Sequence, residues 1–314
     1  VEHVAPPRTS ELAPITNLMV FDGKADGVVG ISGAGFTCPA GSGALGETWL
    51  YQASSWRRLN REFCNSLFDA SSAPADEPGR AFFRAPARAQ TILVLDDEIW
   101  ALRRSVWTRL GTRDLDGYPA TTFSNHAASD LDRDVTLLLS EAGGLWEWDG
   151  VFSPRAAGDP TGETAPATRI AAAIAYDEGR DEIVVVSAHP DGGLDTWTWN
   201  GSAWSRLSQS VPDPSNTSAA VGALVYDRAA EKLLWFVPGA LASGDTPEQP
   251  TAWWSLDGDT WIQETVGQAQ DPFPVGLYEA TVWYAAQVAR PLLFGGGGPR
   301  PDGLGGEGQP PSSV

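Results

Sequence analysis

Hydrophobic and polar positions alternate along this chain in short runs separated by turn residues, most clearly between Thr168 and Leu207. Ile170 to Tyr176 is apolar and stops at a polar turn, Asp177, Glu178, Gly179, Arg180 and Asp181. Ile183 to Val186 is β-branched throughout, as suits a strand buried on both faces. His189 to Gly193 then breaks the chain. Thr196 to Trp199 alternates into Asn200-Gly201, a strong two-residue hairpin signal, and Trp204 to Leu207 supplies a fourth strand. Four antiparallel strands this short make a twisted sheet with two open edges and too little core to stand alone. The pattern therefore predicts copies of itself.

Aligned on Asp177, the equivalent positions are Asp22, Ala85, Asp130, Asp227 and Ala285, giving successive periods of 63, 45, 47, 50 and 58 residues. A five-residue turn and an apolar strand follow each: VVGI from Val28, TILVL from Thr91, TLLLS from Thr136, IVVV from Ile183, LLWFV from Leu233 and PLLF from Pro291. Five copies continue into an aromatic pair across a turn: Trp49 with Trp56, Trp100 with Trp107, Trp146 with Phe152, Trp197 with Trp204, and Trp254 with Trp261. A four-stranded repeat of roughly 40 to 50 residues is the signature of a propeller blade.

Apolar strand, glycine-rich loop, Trp-bearing strand, Asp/Asn-Gly turn and Trp-x-x-Leu strand together resemble the bacterial kelch repeat. The sixth copy ends its second strand in Leu293, Phe294, Gly295 and Gly296, the double glycine typical of that family; in the third copy Gly143-Gly144 falls close to that place. The resemblance implies a single all-β domain over residues 1–314, a six-bladed kelch-like β-propeller of four-stranded antiparallel blades whose last blade is incomplete within this chain. The repeats fall at about 8–60, 61–111, 112–158, 159–210, 211–266 and 267–314 plus 1–7. It implies no particular activity, since kelch propellers host enzymes, adaptors and structural subunits alike. The sixth copy passes into GGGGPRPDGLGGEGQPPSSV without a Trp pair. Its missing strands are expected from the N-terminal segment, from chain beyond Val314, or from a partner.

Composition narrows the partners. A formal charge of -19 and a pI near 4.4 argue against nucleic acid and anionic membranes. No apolar run reaches the 18 residues a membrane span needs. About nine of the 14 Trp fall at the paired blade positions, where inter-blade core is expected ahead of a sugar-stacking platform. Only Lys24 and Lys232 are lysines, a bias that with abundant Ala, Gly and Pro suggests a GC-rich bacterial genome.

In such a blade the turns after strands one and three leave on one side and the loops after strands two and four on the other. The second side receives the long insertions: Gly33 to Gly46, Asn60 to Gly79, Gly239 to Pro250, Val266 to Pro274 and the tail after Gly295. That side is the expected functional face. Cys38 and Cys64 both belong to it, and a Cys38–Cys64 disulfide with export to an oxidising compartment is expected, two unpaired buried thiols being the alternative.

Catalytic chemistry is sparse. The three histidines are His3, His126 and His189, and His126 interrupts a column of small innermost residues, Ala81, Ala173 and Ala223, where it could face the channel. The kelch oxidases' copper site needs paired Tyr and His ligands and a Cys–Tyr crosslink, which three scattered histidines do not suit. No Gly-x-Ser-x-Gly elbow is present. Asp130, Asp132 and Asp134 have the alternation of a calcium loop but fall at a hairpin turn, where turn-forming Asp explains them; Asp114 and Asp116, on the loop face, suit calcium better. No other cofactor and no metal site is expected. His126, Asp114, Asp116 and His189 stand as the expected binding residues.

The sequence thus points to an exported, extracellular, periplasmic or surface-bound module, more in keeping with binding or assembly than with catalysis, engaging a protein or a glycan through the long-loop face. The alternatives are a kelch-type epimerase or oxidase with its site at the channel mouth, and an accessory subunit of a larger extracytoplasmic complex that completes the last blade.

Overall fold

In the computed structural model the described residues are 2–4, 15–22, 27–37, 44–52, 55–65, 80–86, 88–95, 98–103, 105–112, 123–130, 132–140, 143–167, 172–190, 192–207, 222–237, 252–264, 281–285 and 289–294. They form 23 strands in chain order: β1 (Glu2–Val4), β2 (Ile15–Asp22), β3 (Gly27–Thr37), β4 (Ala44–Gln52), β5 (Ser55–Asn65), β6 (Arg80–Ala85), β7 (Gln90–Leu95), β8 (Glu98–Arg103), β9 (Val106–Thr112), β10 (Phe123–Asp130), β11 (Val135–Ser140) and β12 (Leu145–Trp148). The remainder are β13 (Phe152–Ala156), β14 (Ala172–Asp177), β15 (Glu182–Ala188), β16 (Leu194–Trp199), β17 (Trp204–Arg206), β18 (Ala223–Asp227), β19 (Lys232–Val237), β20 (Ala252–Asp257), β21 (Thr260–Glu264), β22 (Thr281–Ala285) and β23 (Arg290–Phe294).

Five sheets are four-stranded, antiparallel and ordered as the chain runs: β2 to β5, β6 to β9, β10 to β13, β14 to β17 and β18 to β21, here blades one to five. Their first strands stand beside one another in sequence, and β22 lies between β18 and β2, so the first strands are innermost and the arrangement is a β-propeller. The expectation of a six-bladed propeller of four-stranded blades, the last of them incomplete, is corrected to a five-bladed one. Five such blades are built, and the remaining sheet has three strands, in the order β1-β23-β22. Its pairing is mixed, with β22 antiparallel to β23 but β1 parallel to it through Glu2↔Leu292, His3↔Leu293 and Val4↔Phe294. The physical reason lies in the last repeat, which has no Trp hairpin after Phe294 to serve as third and fourth strands.

The turn between first and second strands is the repeat's most regular feature. Asp130 Oδ1 accepts from the Asp132 and Arg133 amides at 3.1 and 3.0 Å, Asp177 Oδ1 from Gly179 at 3.0 Å, and Asp227 Oδ1 from Ala229 and Ala230 at 2.9 and 3.2 Å. Four residues after five of the six aligned positions the backbone turns left-handed, at Ala89, Asp134, Asp181, Glu231 and Ala289, with φ between 49 and 56°. That closes a turn whose twist matches the strands it joins. One consequence in blade one departs from expectation: β3 runs to Thr37 and β4 starts at Ala44, paired through Gly33↔Gly46, so most of the expected loop from Gly33 to Gly46 is extended hairpin.

The core lies between blades, as the Trp pairs foretold. β11 is buried along its whole length, and Ile183 to Ala188 of β15 likewise. Side chains on alternate positions face opposite neighbours. Blade three turns Leu138, Trp148 and Phe152 against Phe83, Ile92 and Ile99 of blade two, and Leu137, Leu139 and Leu145 against Ile183, Val185 and Trp197 of blade four.

One polar contact recurs across these interfaces. The indole N–H of a fourth-strand Trp donates to a Thr in the preceding blade's third strand: Trp107 to Thr48 at 2.7 Å and Trp261 to Thr196 at 2.8 Å. Blade three has Phe152 there against Ile99, so neither side needs a partner. Blade four keeps Trp204 but meets Leu145, and the buried Trp204 Nε1 has no acceptor among the described residues. Trp261→Phe is therefore expected to cost about 2 kcal/mol, because Thr196 loses its donor as well as apolar contact, whereas Trp204→Phe removes an unsatisfied donor and should cost about 1 kcal/mol or less. Urea midpoints of the two variants check the order.

Candidate functional site

The outer strands carry a second repeated set. A third-strand Trp is followed nine residues later by Arg in four blades: Trp49 and Arg58, Trp100 and Arg109, Trp146 and Arg155, Trp197 and Arg206; blade five has Trp254 and Gln263. In blades one, two and four the two residues lie directly across the strand pair. An acid stands two residues before the Trp in Glu47, Glu98 and Asp195, and in blades two and four it lies on the Trp side of the strand. Third strands begin at the long-loop side, so the acid is the member nearest that face.

In blades two and four the set closes on itself. Arg109 pairs with Glu98 at 3.3 Å, Trp100 Nε1 donates to Glu98 Oε2 at 3.0 Å, and Arg206 pairs with Asp195 at 3.2 Å. In blade one the Arg58 guanidinium lies over the Trp49 ring, 5.8 Å from its centroid. These half-exposed pairs clamp the outer hairpin and cover the indole.

Blade three departs from this at two points. Gly144 stands where the sister blades have Glu98 and Asp195, and Arg155 is the extra residue of a bulge between Leu145↔Ala156 and Trp146↔Pro154. The bulge turns Arg155 to the buried Glu147, which also meets Arg133 at 3.7 Å, while Arg133 reaches Asp130. The Glu147 carboxylate raises the Arg155 pKa above its ordinary value, against the opposing effect of burial.

Gly144 brings no carboxylate to this place, and a cavity of about 380 Å³ lies beside the Trp146 indole. Its walls are Ser140, Gly144, Trp146, Arg155 and the chain from Ala156 to Gly158. Ser140 Oγ accepts from the Gly144 amide at 3.0 Å and the Ser140 N–H donates to the Gly144 carbonyl at 2.9 Å, which fixes the rim. The cavity opens among the ends of strands two and four, on the long-loop face. It offers an aromatic floor, the Ser140 hydroxyl and the flank of Arg155, whose guanidinium is engaged with Glu147.

The loop beyond Gly158 is ordered by one carboxylate. Asp159 accepts from the amides of Thr161, Glu163 and Thr164 and from both Thr hydroxyls, at 2.6 to 3.2 Å, which holds its pKa far below the usual carboxylate range. On the opposite face, a second cavity of about 570 Å³ lies among Glu178, Gly179, Tyr226, Arg228 and Glu231, but its Arg228 and Glu178 are already joined at 2.6 Å. Close by, Tyr176 Oη meets Asp181 at 2.7 Å and Asp132 of the preceding blade at 2.9 Å; burial first, then these carboxylates, raise its pKa.

The residues expected to bind from sequence are not gathered here. His126 is half-buried in the irregular stretch of β10 and has an interaction partner. His189 is half-buried after β15; its amide donates to Gly193 O at 3.0 Å, and its ring lies where a side chain at Gly162 would meet it. Asp114 and Asp116 fall outside the described residues. Asp130 is occupied by turn amides and Arg133, and no group of three metal-ligating side chains occurs among the described residues. The expected Cys38–Cys64 disulfide falls outside the described residues, since Cys38 is not among them; the backbone of Cys64 stands in β5 opposite Leu45. No described helix is long and apolar enough to cross a membrane. The Arg column is legible in the sequence as a nine-residue spacing from the third-strand Trp, a signal that the pairing of aromatic residues with one another does not contain.

No protein-family model matches the sequence, so the kelch resemblance has no family match behind it, and no curated protein matches it either. Among solved structures the chain is similar to a fungal lectin, the Aleuria aurantia lectin, described as a six-bladed propeller with a novel fucose recognition mode (12% identity, 88% of this chain and 86% of that one, TM-score 0.47). It is also similar to AofleA from Arthrobotrys oligospora (12% identity, 93% and 80% covered, TM-score 0.47). A third is the β-propeller domain of the Trilobed protease from Pyrococcus furiosus, described as having an open velcro topology (9% identity, 88% and 74% covered, TM-score 0.44).

Proposed function

We propose that this protein is an exported, non-enzymatic glycan-binding propeller whose site is the blade-three cavity. The observation that carries the reading is the place of that cavity. It lies where sister blades set their own carboxylate against Arg and Trp, and blade three alone combines a glycine at that position with an arginine nine residues after the Trp. A ligand oxygen entering there takes the place that Glu98 fills in blade two, beside Trp146 and Ser140.

A pyranose suits the walls. Its C–H face packs on the Trp146 indole, and its hydroxyls accept from Arg155 and exchange hydrogen bonds with Ser140. A volume of about 380 Å³ lies in the range of small-ligand sites. The net charge of -19 repels anionic sugars, which leaves neutral ones. The ion-paired network of Asp130, Arg133, Glu147 and Arg155 holds the guanidinium in place from behind, as a rigid site requires.

Titration calorimetry with neutral methyl glycosides tests this. At least one should bind saturably below about 10 mM, equivalent to about 2.7 kcal/mol. Trp146→Ala should weaken it at least about tenfold, while Trp254→Ala, which alters the same column in blade five, should not. Absence of any binding, or binding equal in the parent and Trp146→Ala, would sink the reading.

A further inference from the structure

The turns between third and fourth strands share a repeated contact with the blade before. In blades three, four and five these turns carry Asp149-Gly150, Asn200-Gly201 and Asp257-Gly258. An arginine three residues after the aligned position of the preceding blade reaches each of them. Arg88 Nε donates to the Asp149 carbonyl at 3.4 Å, Arg133 lies 3.5 Å from where a Cβ at Gly201 would stand, and Arg180 meets Asp259 at 3.7 Å. Of the three turns, the one in blade four alone has an amide where the others have a carboxylate. Of the six asparagines in the chain, Asn200 alone is followed by glycine.

That amide is held in a reactive arrangement. Asn200 Oδ1 accepts from the Ser202 amide at 3.0 Å, the Ser202 hydroxyl at 2.9 Å and the Ala203 amide at 3.0 Å, so three donors draw electron density from Cγ. They surround the atom that becomes an oxyanion when Cγ is attacked. Gly201, at φ 91°, puts no side chain in front of its own nitrogen. Within 4 Å of the place a Cβ would take there stands only the Arg133 guanidinium. Asp130 and Glu147 fix that guanidinium beside the turn, where it favours an anionic nitrogen at Gly201. Residues 200–203 are exposed, so water reaches them.

We infer that Asn200 is a self-modification site: in the folded protein it loses ammonia to its own backbone and becomes aspartate or isoaspartate. The Gly201 nitrogen gives its proton to solvent and attacks Asn200 Cγ, forming a C–N bond and placing the negative charge on Oδ1. Collapse of that intermediate breaks the Cγ–Nδ2 bond, and Nδ2 takes a proton from water and leaves as ammonia. The five-membered imide then adds one water. Addition at Cγ restores the ordinary backbone and gives aspartate; addition at the backbone carbonyl leaves the chain running through Cβ and gives isoaspartate. One water is consumed, one ammonia is released, and nothing is oxidised or reduced. Aspartate is what the sister turns already carry, so that product keeps the hairpin. Isoaspartate lengthens the loop between Trp199 and Trp204, whose rings stack 5.3 Å apart.

Timed incubation of the folded 314-residue protein in mildly alkaline buffer, read by peptide mass spectrometry as the exchange of NH2 for OH, tests this. Asn200 should convert at least about tenfold faster than Asn216, which precedes Thr217, and no slower than in a blocked peptide of residues 194–207. Ser202→Ala removes one of the three donors and should slow conversion about two- to fivefold in the protein while leaving the peptide's rate unchanged. The effect is smaller than in a dry enzyme site because the turn is open to water. Equal rates at Asn200 and Asn216, slower conversion in the protein than in the peptide, or an equal effect of Ser202→Ala on protein and peptide overturns the inference.

Discussion

Trp235→Ala is expected to cost about 4 kcal/mol, a large share of the 5–15 kcal/mol that holds an ordinary domain folded. Among the described residues Trp235 is the largest wholly buried side chain, at 0% exposure, in the middle strand pair of blade five. It packs among Val184 and Val186 of blade four and Leu224, Leu233 and Leu256 of its own blade, with its ring 5.5 Å from Trp261. Truncation leaves an indole-sized void between two rigid sheets that cannot collapse onto it, because each is held by backbone ladders to strands outside the interface. Trp235→Phe should cost about half as much, since it keeps an aromatic surface against Trp261. Denaturant unfolding with an unchanged m-value should show both losses, and hydrogen exchange should accelerate first in β15 and β19. A loss below about 1.5 kcal/mol for Trp235→Ala would mean that the blade interfaces do not hold the ring together.

This concentration of stability between blades explains what could be read in the sequence and what could not. The Trp pairs and the β-branched second strands are local patterns with one packing outcome, so the four-stranded blades could be placed before any coordinates existed. The Asp177-type turn was equally visible. The left-handed residue that closes it was not, because Ala89 and Ala289 are poor choices for positive φ and the fold imposes it on them. The last sheet could not be anticipated: whether β1 joins as a parallel third strand or an antiparallel fourth depends on what lies next to it, not on Glu2 to Val4 themselves. The site was missed for a related reason. Histidines and acid strings signal chemistry by residue type, whereas the signal at Gly144 is a departure from a column shared by Glu47, Glu98 and Asp195. The hollow itself needs the bulge at Arg155, which a six-residue Trp146–Phe152 spacing instead of seven announces only in retrospect.

Gly144→Glu should abolish glycan binding, by about a hundredfold or more, while leaving the fold intact. The substitution gives blade three the acid its sisters already have. A Cβ at Gly144 would stand 3.2 Å from Ser140 Oγ, 3.3 Å from Trp146 Nε1 and 3.5 Å from the Ala156 carbonyl, so the side chain enters the cavity from its rim with only a slight shift of its neighbours. Its carboxylate then lies near the Trp146 indole N–H, as Glu98 reaches Trp100, and competes with Glu147 for the Arg155 guanidinium. Those are the donors a sugar hydroxyl would use, and an intramolecular carboxylate holds them at an effective concentration no free monosaccharide matches. The new half-exposed ion pair contributes little stability, within about 1 kcal/mol either way, so near-ultraviolet circular dichroism and the urea midpoint should barely move. Gly144→Ala fills part of the rim without supplying an acceptor and should weaken binding by only about two- to fivefold. Full affinity in Gly144→Glu with an unchanged fold would show that the ligand does not use this cavity; a graded loss from alanine to glutamate would show that it competes for the same donors as the missing carboxylate.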